Sequence, residues 1–361
     1  MHIIAPIQHG LILLMSVTLK QLAGTLGLSP TTVSRALNGF PEVNDATRKR
    51  VREAAERANY RPNTRAKSLA TGRAQAIGHV IPVSTSHEIV NPVFADFIAG
   101  AGETYSRAGY EMVLRVVPDA DEAQAYRDLI ARGAVDGVMV HGPRQQDSRV
   151  ALLGDLGVPF MFHGRTSNIE RPYSWLDINN QRSFRRAAQF LIDLGHRRIA
   201  LVNGLEEMDF ANRRRNGYLE ALEHAGIAVD PALMRQAEMT EPYGYRALTE
   251  MRKLPDPPTA FMASSMIVAY GLRRGLSDLG LKLGRDVSII THDDDLSYLP
   301  NDGDVPMFTA TKSSVREAGR RAASMLLRLV EAPETAPLTE LMETSLVVGA
   351  STGPVLSQEN G

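Results

Sequence analysis

Cysteine is absent from the 361 residues. Its absence excludes disulfides, thiolate nucleophiles and cysteine-based metal sites, and it fits a reducing compartment. Long apolar runs are missing too. No window approaches the roughly 20 consecutive apolar residues of a membrane span, so a cytoplasmic protein with no membrane partner is expected. Aromatic residues make up only 6%, against a hydrophobic share of 43% and a charged share of 22%; this is the balance of an ordinary folded chain. The patterns of zinc, phosphate and serine-elbow chemistry, HExxH, the P-loop and GxSxG, do not occur, so neither metal, cofactor nor catalytic residue is expected.

What is present begins with length: 361 residues exceed the usual reach of one core and predict two or three domains. The opening MHIIAPIQHGLILLM is apolar but has neither a basic start nor a small-residue cleavage site. Residues 1–15 are read as an extension without function. The net charge of -1 hides a partition. Residues 16–73 carry 11 Lys and Arg against 4 Asp and Glu, while the rest carries 29 against 37. A short basic module joined to an acidic body suggests a polyanion partner, since phosphate neutralisation releases counterions, although a solvated charged face fits the charge equally well.

Within the basic module Leu19, Leu22, Ala23 and Leu26 fall on one face of a short helix that Gly27 ends. Ser29 supplies a cap and Pro30 a pre-set first position for a second helix, ending near Asn38 and Gly39. Val33, Ala36 and Leu37 can face the first helix, leaving Thr31, Thr32, Ser34 and Arg35 outward. Such a face suits a major groove, where arginine can pair with guanine and threonine can meet a base edge or a methyl group. A third helix is expected from Asp45 to Asn59, capped by Asn44, with Arg48, Lys49, Arg50 and Arg52 available to phosphates.

TLKQLAGTLGLSPTTVSRALNG, VNDATRKRVREAAERANYRPN and RAKSLATGR together resemble the DNA-binding headpiece of the LacI/GalR family in residues, order and spacing. The resemblance implies a helix-turn-helix over 16–61 that reads double-stranded operator DNA. Pro30, Thr31 and Arg35 take reading positions, with Thr32, Asn38, Thr47 and Lys49 near the backbone. Residues 62–75 correspond to a hinge segment that folds on DNA, where Asn63 contacts the duplex and Leu69 serves as a minor-groove wedge.

From Ala76 onward, short apolar runs such as AIGHVIP, GVMVHG, RIALVNG and DVSIITHDD alternate with helical patterns. That alternation predicts parallel, doubly wound α/β sheets, too many for one sheet, hence two lobes over 76–361. LIDLGHRRIALVNG, RRRNGY, PTAFMASS and DVSIITHDD resemble the periplasmic-binding-protein-like core of the same family. The resemblance implies a cleft that closes on a sugar-like effector, with Arg214, Asp293 and Ser265 gripping it. Strand-end position adds Glu88, Asn91, Phe94, His163 and Arg165. Three positions depart from the family pattern: Met266 replaces a common acid, Met239 sits near an expected aromatic wall, and Ser313 replaces a glutamine. IPVSTSHEIVNPVF, FMFHGR and NDGDVPMFTATKSSVREAG are similar to members that govern α-glucoside use.

The family further implies a homodimer, since its headpieces act with two-fold symmetry. The tail STGPVLSQENG has no heptads to make a tetramer. A free sugar-binding receptor and a sugar-processing enzyme using Asp293 and Asp294 are the rival readings. Adjacent residues at a strand end usually diverge, whereas paired catalytic carboxylates converge from separate elements.

Overall fold

The computed structural model describes residues 17–37, 39–60, 72–82 and 91–355, which divide into two units between Ala74 and Gln75. In the first unit, helix α1 (Leu19–Leu26) opens on a reciprocal cap. The Thr18 N–H donates to Gln21 Oε1 at 2.8 Å, and the Gln21 N–H donates to Thr18 Oγ1 at 3.3 Å. Gly27 ends the helix at φ 64°, left-handed backbone that glycine adopts without steric cost. Helix α2 (Pro30–Leu37) starts on its proline, with the Thr32 N–H donating to Ser29 Oγ at 3.1 Å. Helix α3 (Asp45–Arg57) is capped by Asn44 through the Thr47 N–H at 2.8 Å. It stops two residues short of the expected Asn59, whose φ of 46° has left the helix. Leu22, Leu26, Val33, Ala36 and Val51 form the core of this three-helix unit.

The second unit holds two six-stranded sheets. One lobe is built from β1 (Ala76–Pro82), α4 (Pro92–Arg107), β2 (Glu111–Val117), α5 (Glu122–Ala131), β3 (Gly137–Val140), α6 (Arg149–Asp155), β4 (Phe160–His163) and β5 (Trp175–Ile178). The other contains α7 (Asn180–Asp193), β6 (Ile199–Asn203), α8 (Asp209–His224), β7 (Met234–Gln236), α9 (Glu241–Met251), β8 (Ala260–Ala263), α10 (Met266–Asp278), β9 (Ser288–Asp293) and β10 (Thr309–Lys312). Helix α11 (Val315–Glu331) and strand β11 (Thr339–Met342) then return to the first lobe, and β12 (Ser345–Val347) to the second.

The strand orders are β11-β5-β4-β3-β1-β2 and β12-β10-β9-β8-β6-β7. Every pairing is parallel except that of β12 with β10. Helices cover the sheets, so the central strands are buried along their length and read as continuous apolar runs. The chain passes between lobes three times, after Ile178, after Lys312 and after Met342. Three short neighbouring crossings are the covalent geometry of a hinge.

Candidate functional site

On the helical unit, Pro30, Thr31 and Arg35 are exposed along α2, and Lys49 is exposed on α3. Thr32 is half-buried and its hydroxyl lies 2.8 Å from Ser29 Oγ, inside the cap. Thr47 is half-buried in the first turn of α3. Two of the arginines expected to meet phosphates are engaged within the fold instead. Arg48 donates to the carbonyls of Val43 at 2.9 Å and Phe40 at 3.2 Å and pairs with Asp45 at 2.7 Å. Arg50 donates to Leu26 O at 2.8 Å, satisfying a carbonyl at the end of α1. Asn38, Asn63 and Leu69 lie outside the described residues, as does Glu88 of the core.

In the second lobe the cleft is organised around Arg214. Gly217, one turn along α8, lies so close to α7 that a Cβ there would meet Gln181 O at 2.0 Å. This approach brings Arg214 Nε to 2.8 Å from Asn180 Oδ1 at the start of α7. The guanidinium also donates to Ser264 O at 2.5 Å and Ser264 Oγ at 3.0 Å, and it lies over the rings of Phe210 and Phe184 at 4.9 and 5.1 Å. Burial lowers this guanidinium to about 10, with Asp294 and Asp177 acting in the opposite direction. It remains cationic near neutrality.

Two neighbouring carboxylates diverge at the end of β9. Asp293 accepts from the Asp295 N–H at 2.8 Å, and its Oδ2 is buried without a protein partner. Burial raises its carboxyl above the ordinary value, against the Asp295 N–H and Lys312. Asp294 instead faces Arg214, His163 and His292, whose Nε2 is 3.3 Å away. Burial would push the Asp294 carboxyl up, but these cationic and imidazole neighbours hold it below the usual carboxylate range. The charge facing Arg214 thus comes from Asp294 rather than Asp293. Ser265 is the cap of α10, its Oγ accepting from the Val268 N–H at 3.3 Å. Met239 packs beside Gly204 and on the lobe's core.

The first lobe presents rings. His163 stacks on Phe97 with centroids 4.0 Å apart, and His141, just beyond β3, meets both Phe94 and Phe97 edge-on at 5.0 Å. His79 on β1 sits behind, its Nδ1 2.9 Å from His141 Nε2. Arg165 is turned toward the hinge strand, paired with Asp177 at 2.8 Å and lying 4.9 Å over Trp175. Asn91 caps α4 through the Val93 N–H at 3.0 Å. His141, Phe97, Asn180 and Ser264 were not singled out from sequence, although His141 follows a buried strand directly and the strand-end rule would have found it.

At the rim the lobes touch. The Asp209 N–H donates to Pro143 O at 3.0 Å and the Gln145 N–H to Glu207 O at 3.2 Å. Buried Asp209 accepts from Ser167 Oγ at 2.5 Å and from Arg213 Nε at 2.5 Å. The loop on the first lobe's side is held by Arg149, which is paired with Asp147 at 2.6 Å and Glu122 at 2.8 Å and donates to Gly142 O at 3.1 Å. Among the described residues no His, Asp and Glu group is placed to hold a metal ion, and no helix is long and apolar enough to cross a membrane.

A helix-turn-helix joined to a hinged, two-lobed α/β core defines a DNA-binding regulator with a sensing domain, and the chain belongs to the lacI family of bacterial regulatory proteins. Residues 18–63 match the family model described as "Bacterial regulatory proteins, lacI family", and residues 188–352 match a periplasmic binding protein-like domain. The chain is 44% identical over 341 residues to the HTH-type transcriptional regulator AglR of Rhizobium meliloti (strain 1021), covering 94% of this chain and 95% of that protein. It is 31% identical over 336 residues to the HTH-type transcriptional regulator CelR of Thermobifida fusca, covering 92% and 98%. Among solved structures it is similar to a CelR–cellobiose complex, with a TM-score of 0.69 at 29% identity over 93% of this chain and 99% of that one. These relatives are regulators of transcription, and so is this chain.

Proposed function

We propose that this chain is a repressor whose hold on a two-fold operator is set by a neutral sugar enclosed between its lobes, and that it works as a homodimer. The observation that carries the reading is the position of Arg214, a buried guanidinium at the strand ends, tied to both the hinge and β8 and opposed by Asp294. The Arg214 guanidinium and the unpartnered carboxylate oxygen of Asp293, with Ser265 beside them, can take sugar hydroxyls on one wall, while the rings of Phe94 and His163 cover an apolar sugar face. The CelR relative is described as a cellobiose complex, and sequence segments here resemble α-glucoside regulators, so maltose, trehalose and cellobiose are the first probes.

On the DNA side, Pro30, Thr31 and Arg35 are the reading face, and Lys49 grips phosphates alongside Thr32, Thr47, Asn38 and Asn63. Leu69 is the minor-groove wedge. The test is a thermal-shift screen of neutral mono- and disaccharides followed by operator titration with each hit. At least one neutral sugar should raise the melting temperature and change operator affinity about tenfold or more. Stabilisation only by phosphorylated or acidic ligands would overturn the effector reading.

A further inference from the structure

Four imidazoles cluster at the strand ends and just behind them: His79 on β1, His141 beyond β3 and His163 at the end of β4 in the first lobe, and His292 on β9 in the second. His79 Nδ1 and His141 Nε2 lie 2.9 Å apart and share one proton. Their outer nitrogens, His79 Nε2 and His141 Nδ1, are buried without a protein partner. Two neutral rings hold two N–H protons, one in the shared bond and one on an outer nitrogen. A third proton would bury a positive charge and leave both outer N–H groups without acceptors, which is costly in this setting.

The surroundings reinforce that limit. His141 is faced by His79 from β1, His163 from β4, Arg149 from α6, and the rings of Phe94 and Phe97 from α4. Tyr105 of α4 stands edge-on to His79 at 5.8 Å. Every charged neighbour of His141 is cationic or can become so. His163 has Phe97 on one side, His141 on another, and Asp294 across the cleft.

We propose that closure of the lobes expels protons from His141 and His163, so that acidification opens the cleft. With the lobes in contact at the rim, both rings are half-buried, and burial holds the His163 imidazole down to about 4, partly offset by Asp294, and that of His141 well below its ordinary value. In an open cleft water reaches the rings at the ends of β3 and β4, and both return toward their ordinary range near 6.5. The closed form then binds fewer protons. Its advantage is complete above about pH 6.5 and is lost as pH falls. Asp294 offsets part of the shift at His163, yet with the lobes together both imidazoles stay neutral at about pH 5.5, so each contributes about equally. The inference rests on the hinge and the rings, not on the identity of the effector.

The chain's lack of cysteine allows a direct test on the full-length protein with no sugar added. Spin labels on Glu170→Cys and Glu223→Cys, exposed positions on opposite lobes, report lobe separation. Between pH 7.5 and 5.5 the ratio of closed to open molecules should fall about tenfold for each participating imidazole. His141→Asn combined with His163→Asn should remove the response, and either single variant should keep about one tenfold step of it. Distances that stay constant over this range, or a double variant that follows its parent, overturn the proposal. Should the double variant fail to fold by circular dichroism, ring-proton NMR of the parent decides: resonances of His141 and His163 silent down to pH 5 in the closed protein support it, and ordinary titration above pH 6 refutes it.

Discussion

The first lobe meets the cleft with Phe94, His141 and His163, rings that carry no fixed charge and pack on buried Phe97, whereas the second lobe meets it with Arg214 and Asp294, backed by buried His292. The second wall is assembled on rigid elements and holds its charges in company: Arg214 has Asn180 and Ser264, and Asp294 lies against His292, while Asp293 Oδ2 and His292 Nε2 lack a hydrogen-bond partner. The first wall leaves two imidazole nitrogens unsatisfied. One wall therefore carries paired charge, and the other carries rings whose charge depends on their surroundings. A buried charge is tolerable only when it is paired and hydrogen-bonded, so the cationic wall can be permanent while the imidazole wall stays neutral only under cover.

This contrast predicts lobe-specific effects. The largest is expected at Arg149, whose removal strands Asp147 and Glu122 as partly or fully buried carboxylates. Arg149→Met should cost roughly 3–5 kcal/mol. Hydrogen exchange should rise across residues 141–149 while β6 and β8 keep their protection. Equal loosening of both lobes would mean that the walls are not independent.

A smaller loss is expected on the opposite wall. Gly217→Ala places a methyl group 2.0 Å from Gln181 O, so α8 must move away from α7. About 1–3 kcal/mol of stability should be lost, and the Nε contact from Arg214 to Asn180 with it. Chemical denaturation read alongside sugar titration checks this. An unchanged midpoint would show that the helices have slack at the crossing.

These assignments were not equally legible. The headpiece could be read because its local signals agree: caps at Thr18, Ser29 and Asn44 and a left-handed Gly27 bracket short amphipathic helices. What stayed hidden was where the arginine side chains go, since Arg50 reaches Leu26 across 24 positions in sequence. In the core the buried strands were legible as apolar runs, but β5, β7, β10, β11 and β12 are three or four residues long and interrupted by polar residues, as in WLDI, MRQ and TATK, so no apolar run marks them. Helix α9 is poorly marked in the sequence because Pro242 and Gly244 interrupt its pattern, although the proline is harmless at the first turn. The expectation for Arg214 came from the resemblance of RRRNGY to the family core. Asp293 and Asp294 differ in surroundings that periodicity does not encode: Asp294 faces Arg214 and His292, while Asp293 keeps a buried Oδ2 without a protein partner.

A modest effect is expected at the rim, where both walls contribute. Ser167→Ala removes a donor from buried Asp209 without altering the rings or Arg214. Effector affinity should weaken about fivefold, through closure alone. A loss as large as that of an Arg214 substitution would mean that Ser167 touches the effector itself.

The central claim is the proposal that Arg214 and Asp293, whose buried Oδ2 has no protein partner, grip the effector while the headpiece binds DNA independently of them. Calorimetry of Arg214→Met and Asp293→Asn with the sugar that stabilises the parent most, alongside operator titration of the same preparations, tests it directly. Sugar affinity should fall about ten- to hundredfold in each variant, with operator affinity within about twofold of the parent. Parental sugar affinity in either folded variant would contradict the account, as would operator binding that falls in step with stability.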